Sequence, residues 1–178
     1  MSNARDESLQ ETGKCALGAL REMVAALECD YDRLEELRDE RADLVSEAED
    51  DTNVEHRAAK RALKEWDEEN GDELKDLVDS AGDCKDRDDA EQRIHEDPLS
   101  LEFRSGWVTD KSDLSTPEEA RILLTTGGPA VQIIVELDNG EPHRAYLQVQ
   151  DWGTPWTDYY EDGIGDVLMS YARCFCFE

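Results

Sequence analysis

The sequence predicts an α+β protein. A long, acidic, coiled-coil-like helical hairpin at the N-terminus is followed by a small antiparallel sheet of about four strands and a C-terminal helix. Three observations carry this prediction. None of the five prolines precedes Pro98. Before that point apolar residues recur at helical spacing, and after it they alternate with polar ones. The change at Pro98 divides the chain into an acidic helical domain, residues 1–97, and a small α+β domain, residues 98–178.

Residues 1–8 read as a frayed start. From about Leu9 an apolar stripe runs through Leu17, Leu20, Val24, Leu27, Tyr31 and Leu34, at spacings of three and four. That is a heptad-like seam. It slips in phase at Leu37 and resumes at Leu44 and Ala48. A helix over 9–49 would be roughly 60 Å long, the length of a coiled coil and not of an ordinary globular helix. Asp50-Asp51-Thr52-Asn53 supplies turn and capping residues. A second stripe follows at Ala59, Leu63, Trp66, Leu74, Leu77 and Val78. Gly71 inside it is either a tolerated helical glycine or a C-cap. Two amphipathic helices joined by a tight turn fold back as an antiparallel hairpin. The first is longer than the second, so its overhang predicts a homodimer or cover from the C-terminal domain. A short helix over 87–96 ends at Pro98.

Leu99, Leu101 and Phe103 alternate as a strand running towards Trp107. A loop from Thr109 to Glu119 leads to strands at 120–125 and 130–137, joined by Thr126-Gly127-Gly128-Pro129. Asp138-Asn139-Gly140 is a strong hairpin signal into a strand at 143–150. A helix over 166–174 carries Val167, Leu168, Tyr171 and Ala172 on one face. The tail Cys174-Phe175-Cys176-Phe177 is a fifth short strand or a buried terminus.

The formal charge is −27, from 46 acids against 19 Lys and Arg. Both halves are acidic, at −18 for residues 1–100 and −9 for residues 101–178. Such a chain repels bare nucleic acid and anionic membranes and is drawn to basic protein surfaces. Nucleic-acid-binding proteins present such surfaces, so carboxylates standing in for phosphates are one reading. Salt adaptation and plain solubility are the others. If a basic partner is gripped, the candidate contacts are Glu35, Glu36, Asp39, Glu40, Asp43, Glu47, Glu65, Glu68 and Glu69. No signal peptide, membrane span or prenylation box is written in the sequence, and the chain is expected to be cytoplasmic with reduced cysteines.

No catalytic residues, metal ligands or cofactor are predicted. His56, His95 and His143 have no spacing that joins them to a Cys. Cys174-x-Cys176 lacks a second matched ligand pair. Thr126-Gly127-Gly128-Pro129 lacks the lysine of a phosphate loop and precedes a strand. The aromatic stretch from Gln150 to Tyr160 admits three readings: a partner contact, a platform stacking bases or sugars in an enzyme, or a structural lock. Acidic flanks argue against stacking. The lock, formed by Asp151, Trp152, Trp156 and Tyr159 beneath the last helix, is the favoured reading.

Residues Arg121 to Val131, Glu136-Leu137-Asp138 and Gln150-Asp-Trp-Gly-Thr-Pro-Trp-Thr-Asp-Tyr159 resemble a family of small proteins of tailed bacteriophages and prophages. Leu168, Tyr171, Ala172, Phe175 and Phe177 are similar too. The resemblance covers about residues 98–178. It implies a phage origin and action inside an infected cell, and it carries over no functional residue. Small acidic phage proteins include inhibitors of restriction and CRISPR defences, some of them DNA mimics. The functional expectation is therefore an acidic interaction protein inhibiting a nucleic-acid-binding host defence. A coiled-coil scaffold is the alternative, and an enzyme built on residues 150–160 is a second.

Overall fold

The computed structural model describes residues 2–49, 56–105 and 117–177. The turn at 50–53, Trp107 and most of the loop from Thr109 lie outside them. The fold is α+β, with five helices and one five-stranded antiparallel sheet among the described residues. Two compact units are present, one of Met1–Val24 with Glu91–Glu178 and the other of Ala25–Ala90. This partition differs from a boundary at 97/98, because the first part of α1 and residues 91–97 group with the sheet.

A single helix over 9–49 does not form. The chain makes α1 (Ser2–Glu28) and α2 (Tyr31–Glu49), parted at Cys29 and Asp30. Asp30 is the cause: its Oδ1 accepts the Arg33 N–H at 3.0 Å and caps α2. The Cys29 N–H turns back to the Ala26 carbonyl at 3.3 Å and closes α1. The start of the chain is helical from Ser2, where fraying is expected from the sequence.

In the Ala25–Ala90 unit, α3 (His56–Ala81) runs through Gly71 without a break. It packs antiparallel to α2, as its side-chain pairs show. Arg33 bonds Glu73 at 2.9 Å and Arg41 bonds Asp67 at 2.8 Å, while Trp66 Nε1 donates to Glu40 at 3.1 Å. A small core of Ala26, Cys84 and Ala90 is covered by Tyr31. The Tyr31 hydroxyl donates to the Ala26 carbonyl at 2.9 Å. Burial pushes its pKa up to about 12. Helix α4 (Arg87–Glu96) begins in a reciprocal cap: Asp86 accepts from the Asp89 N–H, and Asp89 accepts from the Lys85 N–H.

In the other unit the strands follow in chain order: β1 (Ser100–Arg104), β2 (Glu119–Thr125), β3 (Ala130–Asp138), β4 (Glu141–Gln150) and β5 (Thr157–Tyr159). Five strands form where the sequence pattern indicates about four. The fifth is not the cysteine-rich tail but the end of the aromatic stretch, pairing Tyr159 with Leu147 and Thr157 with Val149. Asn139 and Gly140 both take positive φ, 53° and 84°, which gives the β3–β4 hairpin its tight turn.

One sheet face is apolar, with Ile122, Ile133, Val135, Leu147 and Val149 all buried. Helix α5 (Ile164–Ala172) packs on β4, and buries Leu168, Tyr171 and Ala172. The tail is not a strand. Phe177 is buried edge-on to Phe103, and Phe175 packs against His95 and Tyr171. The Tyr171 hydroxyl donates to Asp97 at 2.6 Å, and burial raises its pKa.

Candidate interaction surface

At about 100° per residue, α2 sorts its side chains cleanly. Leu34, Leu37 and Ala48 are buried on one side. The opposite arc, about 140° wide, holds eight positions, all exposed. Seven are carboxylates: Asp32, Glu35, Glu36, Asp39, Glu40, Asp43 and Glu47; the eighth is Ser46. No Lys or Arg falls in this arc. The three arginines of α2 sit outside it, two of them turned to α3: Arg33 to Glu73 and Arg41 to Asp67.

Every carboxylate singled out from the sequence on α2 and α3 is exposed. Four are held by a neighbour. Glu36 bonds Arg33 at 2.7 Å, Glu40 accepts from Trp66, Glu65 pairs with Arg61 at 2.8 Å, and Glu68 pairs with Lys64 at 3.3 Å. Glu35, Asp39, Asp43 and Glu47 follow one another at four-residue steps, a single ridge with about 6 Å between neighbours along the axis. Asp32 belongs to the same arc and is missed by a sequence reading that begins at Glu35. Helix α3 is segregated along its length. Residues 56–64 carry four bases and no acid, and residues 65–81 carry eight acids and one base. Cations at a helix N-terminus oppose the macrodipole. Arg33, bonded to both Glu73 and Glu36, has its pKa raised, and Glu73 is held below the usual carboxylate range by Arg33.

The aromatic stretch is built around Asp151 and Thr154. Asp151 Oδ1 accepts the Trp152 N–H at 2.8 Å, the Thr154 hydroxyl donates to the Asp151 carbonyl at 2.8 Å, and Gln150 Nε2 donates to the Thr154 carbonyl at 2.7 Å. Trp152 is 72% exposed, yet its ring lies flush on Gly128, where any side chain would collide with it. The two glycine-bearing halves of the sequence motif therefore meet in space. Trp156 is half-buried. Tyr159 is buried, and its ring lies against Gly13 of α1. The Tyr159 hydroxyl donates to Glu161 at 2.8 Å, and Glu161 pairs with Arg21 of α1 at 2.7 Å. These two bonds, the Tyr159 one first, lower the Glu161 pKa.

The second sheet face is polar. Its cross-strand rows read Glu102–Arg121–Ile134–Tyr146 and Arg104–Glu119–Glu136–Arg144. Arg121 pairs with Glu102, and Arg104 with Glu119 at 2.7 Å. A third row is an amide ladder: Gln132 Nε2 donates to Gln148 Oε1 at 2.7 Å, and Gln148 Nε2 donates to Asp158 at 2.8 Å. Gln132 is buried. A depression of about 520 Å³ on this face is lined by Trp156 but not by Trp152, and both its carboxylates, Glu102 and Glu119, are tied to arginines. The convergence of tryptophans and carboxylates that an aromatic-loop enzyme needs does not occur there.

Among the described residues no group of three or more His, Cys, Asp or Glu is arranged to hold a metal ion, and no helix is long and apolar enough to cross a membrane. Comparison with protein-family models, curated proteins and solved structures finds no match.

Proposed function

We propose that the chain is an acidic interaction protein that engages a basic, nucleic-acid-binding protein surface through the carboxylate arc of α2. One observation carries this reading: an exposed helix face with seven carboxylates and no base. Over the roughly 28 Å of α2 that is one negative charge per about 4 Å. A single DNA strand offers one per about 3.4 Å. The acidic part of α3, from Glu65 onward, runs beside it as a second row. Antiparallel packing of α2 on α3, read as a coiled-coil-like hairpin, gives both rows a stiff support. A surface of mere solubility would intersperse both signs, and the α2 arc carries only one.

The resemblance of residues 98–178 to phage and prophage proteins supplies the biological setting of this reading. In an infected cell, a nucleic-acid-binding defence protein is the partner whose surface fits. The sheet unit then serves as the scaffold.

The test is a titration against purified nucleic-acid-binding proteins, with and without competing duplex DNA. Binding should weaken as salt rises, and duplex should compete. The variant Glu35→Gln/Asp39→Asn/Asp43→Asn/Glu47→Gln should lose affinity by at least about tenfold, since charge contacts of this kind weaken together. Complexes indifferent to salt and to these four substitutions would refute the reading.

A further inference from the structure

The amide ladder on the polar sheet face can run in one direction only. Asp158 sits at its end, and a carboxylate accepts hydrogen bonds without donating any. Gln148 must therefore turn Nε2 to Asp158, at 2.8 Å, and present Oε1 to Gln132. Gln132 must answer that oxygen with its own Nε2, at 2.7 Å. One atom is left over, Gln132 Oε1. It belongs to a side chain only 3% exposed, and it accepts no hydrogen bond from the described residues. Turning Gln132 over would set two carbonyl oxygens face to face at Gln148, so the ladder cannot relieve itself. A buried carbonyl without a donor is unfavourable. This one is also polarised by two amides in series that end on a carboxylate, which makes it a better acceptor than an isolated amide.

Gln132 lines the depression of about 520 Å³ together with Gln148, Ile134 and Trp156. That volume lies within the range of small-molecule sites. Ile134 adds apolar surface, and half-buried Trp156 adds indole surface on which a flat ring can stack. The charged side chains of the lining cancel in pairs, Arg121 with Glu102 and Arg104 with Glu119. The site thus offers no net charge, and a chain at −27 repels anions, so the fitting ligand is uncharged. Because Gln132 Oε1 is closed to solvent, a ligand reaches it through a shift of the lining. Arg121 and Arg104, long side chains 42% and 74% exposed, leave room for one.

We propose that this depression binds an uncharged, amino-bearing nucleobase or nucleoside, its ring on Trp156 and its exocyclic N–H donating to Gln132 Oε1. An aminopurine or aminopyrimidine carries a flat face and a donor in the plane of the ring. A sugar has donors without the flat face, and a plain hydrocarbon ring has the face without a donor. The site gives the sheet unit a role besides scaffolding, and it is independent of the α2 arc.

The test is isothermal titration calorimetry of the full chain with four probes. Two are adenosine and cytidine; the others, purine riboside and pyrimidin-2-one riboside, lack only the amino group. At least one amino probe should bind with a Kd below about 1 mM, within reach of a ligand of this size. Its deamino counterpart should bind at least about tenfold more weakly. Gln132→Met, similar in shape but without the carbonyl, should abolish that difference. Trp156→Leu should weaken both probes alike. Asp158→Asn is the discriminating arm. Residue 158 is exposed and does not line the depression. An amide there lets the ladder turn over and present Nε2 in place of Oε1, so the preference for the amino probe should shrink. Circular dichroism checks that each variant folds. If neither amino probe binds below about 1 mM, the carbonyl is served by water only and the proposal is overturned. It is equally overturned by binding indifferent to the amino group, or by a preference that Asp158→Asn leaves unchanged.

Discussion

Gly13 is the position where a methyl group should do the most damage for its size. A Cβ placed there would stand 2.9 Å from Tyr159 Cε2 and nearer still to Cδ2 and Cγ. Ordinary contact begins near 3.4 Å, so helix and ring must part. Tyr159 is 7% exposed, and its hydroxyl is tied to Glu161, so the ring has little freedom to retreat. Overpacking of this kind costs about 1–3 kcal/mol. Against it stands the gain from replacing a helical glycine, about 0.5–1 kcal/mol. The sum is a net loss of up to about 2 kcal/mol, which lowers Tm by several degrees in a chain of this length. Gly18 and Gly71 are the controls. Both are helical with nothing within 4 Å of an added methyl, so Gly18→Ala and Gly71→Ala should stabilise by the full glycine term. Thermal and urea unfolding would measure all three. A cycle with Tyr159→Ala sharpens the result, because room made by removing the ring should turn Gly13→Ala from harmful to helpful. If Gly13→Ala stabilises as Gly18→Ala does on the wild-type background, the packing of α1 on Tyr159 is wrong.

Three other outcomes are expected. Asp30→Ala should cost about 1 kcal/mol through loss of the α2 cap, whereas Asp30→Asn should cost little; helix content by circular dichroism during unfolding reports both. Tyr171→Phe strips Asp97 of its hydroxyl donor and should cost about 1–2 kcal/mol. Tyr171 also sets a pH dependence. Its folded pKa is raised by burial, so its contribution is full below the unfolded value near 10 and is lost as pH rises beyond it. Above about pH 10 the unfolded chain releases a proton that the folded chain retains, and stability should fall by about 1.4 kcal/mol per pH unit from this group. The slope should be shallower in Tyr171→Phe. Finally, Gly128→Ala meets an equally close ring, but Trp152 is exposed and can swing away. Stability should barely change, while acrylamide quenching of tryptophan emission should increase.

Strands β2, β3 and β4 are legible in the sequence because each alternates long enough to declare its faces, and Asn139-Gly140 marks the turn between two of them. The break between α1 and α2 is not. The three–four spacing of Leu27, Tyr31 and Leu34 continues across it, and one capping aspartate is hard to notice among so many acids. Gly71 looks like a punctuation mark, yet its neighbours offer no capping bond to stop the helix, and none forms. Strand β5 has three residues, too few for alternation to show. Nothing local links Gly13 to Tyr159; the contact exists only once the sheet and α1 are assembled. On α2, the acidic arc follows from helical phase alone.

The ladder of Gln132, Gln148 and Asp158 has a consequence for how the sheet selects its alignment. Apolar alternation forbids a one-residue slip of β4 on β3, because that would turn every core residue outward. It does not forbid a slip of two, which keeps each side chain on its own face. The amide pair forbids one such slip. A slip in one direction sets Gln132 against Tyr146, where a buried amide loses its partner. A slip in the other sets it against Gln150, whose Nε2 donates to the Thr154 carbonyl but whose Oε1 can still accept. The polar side chains act as a key that removes one of the alignments the apolar pattern would accept.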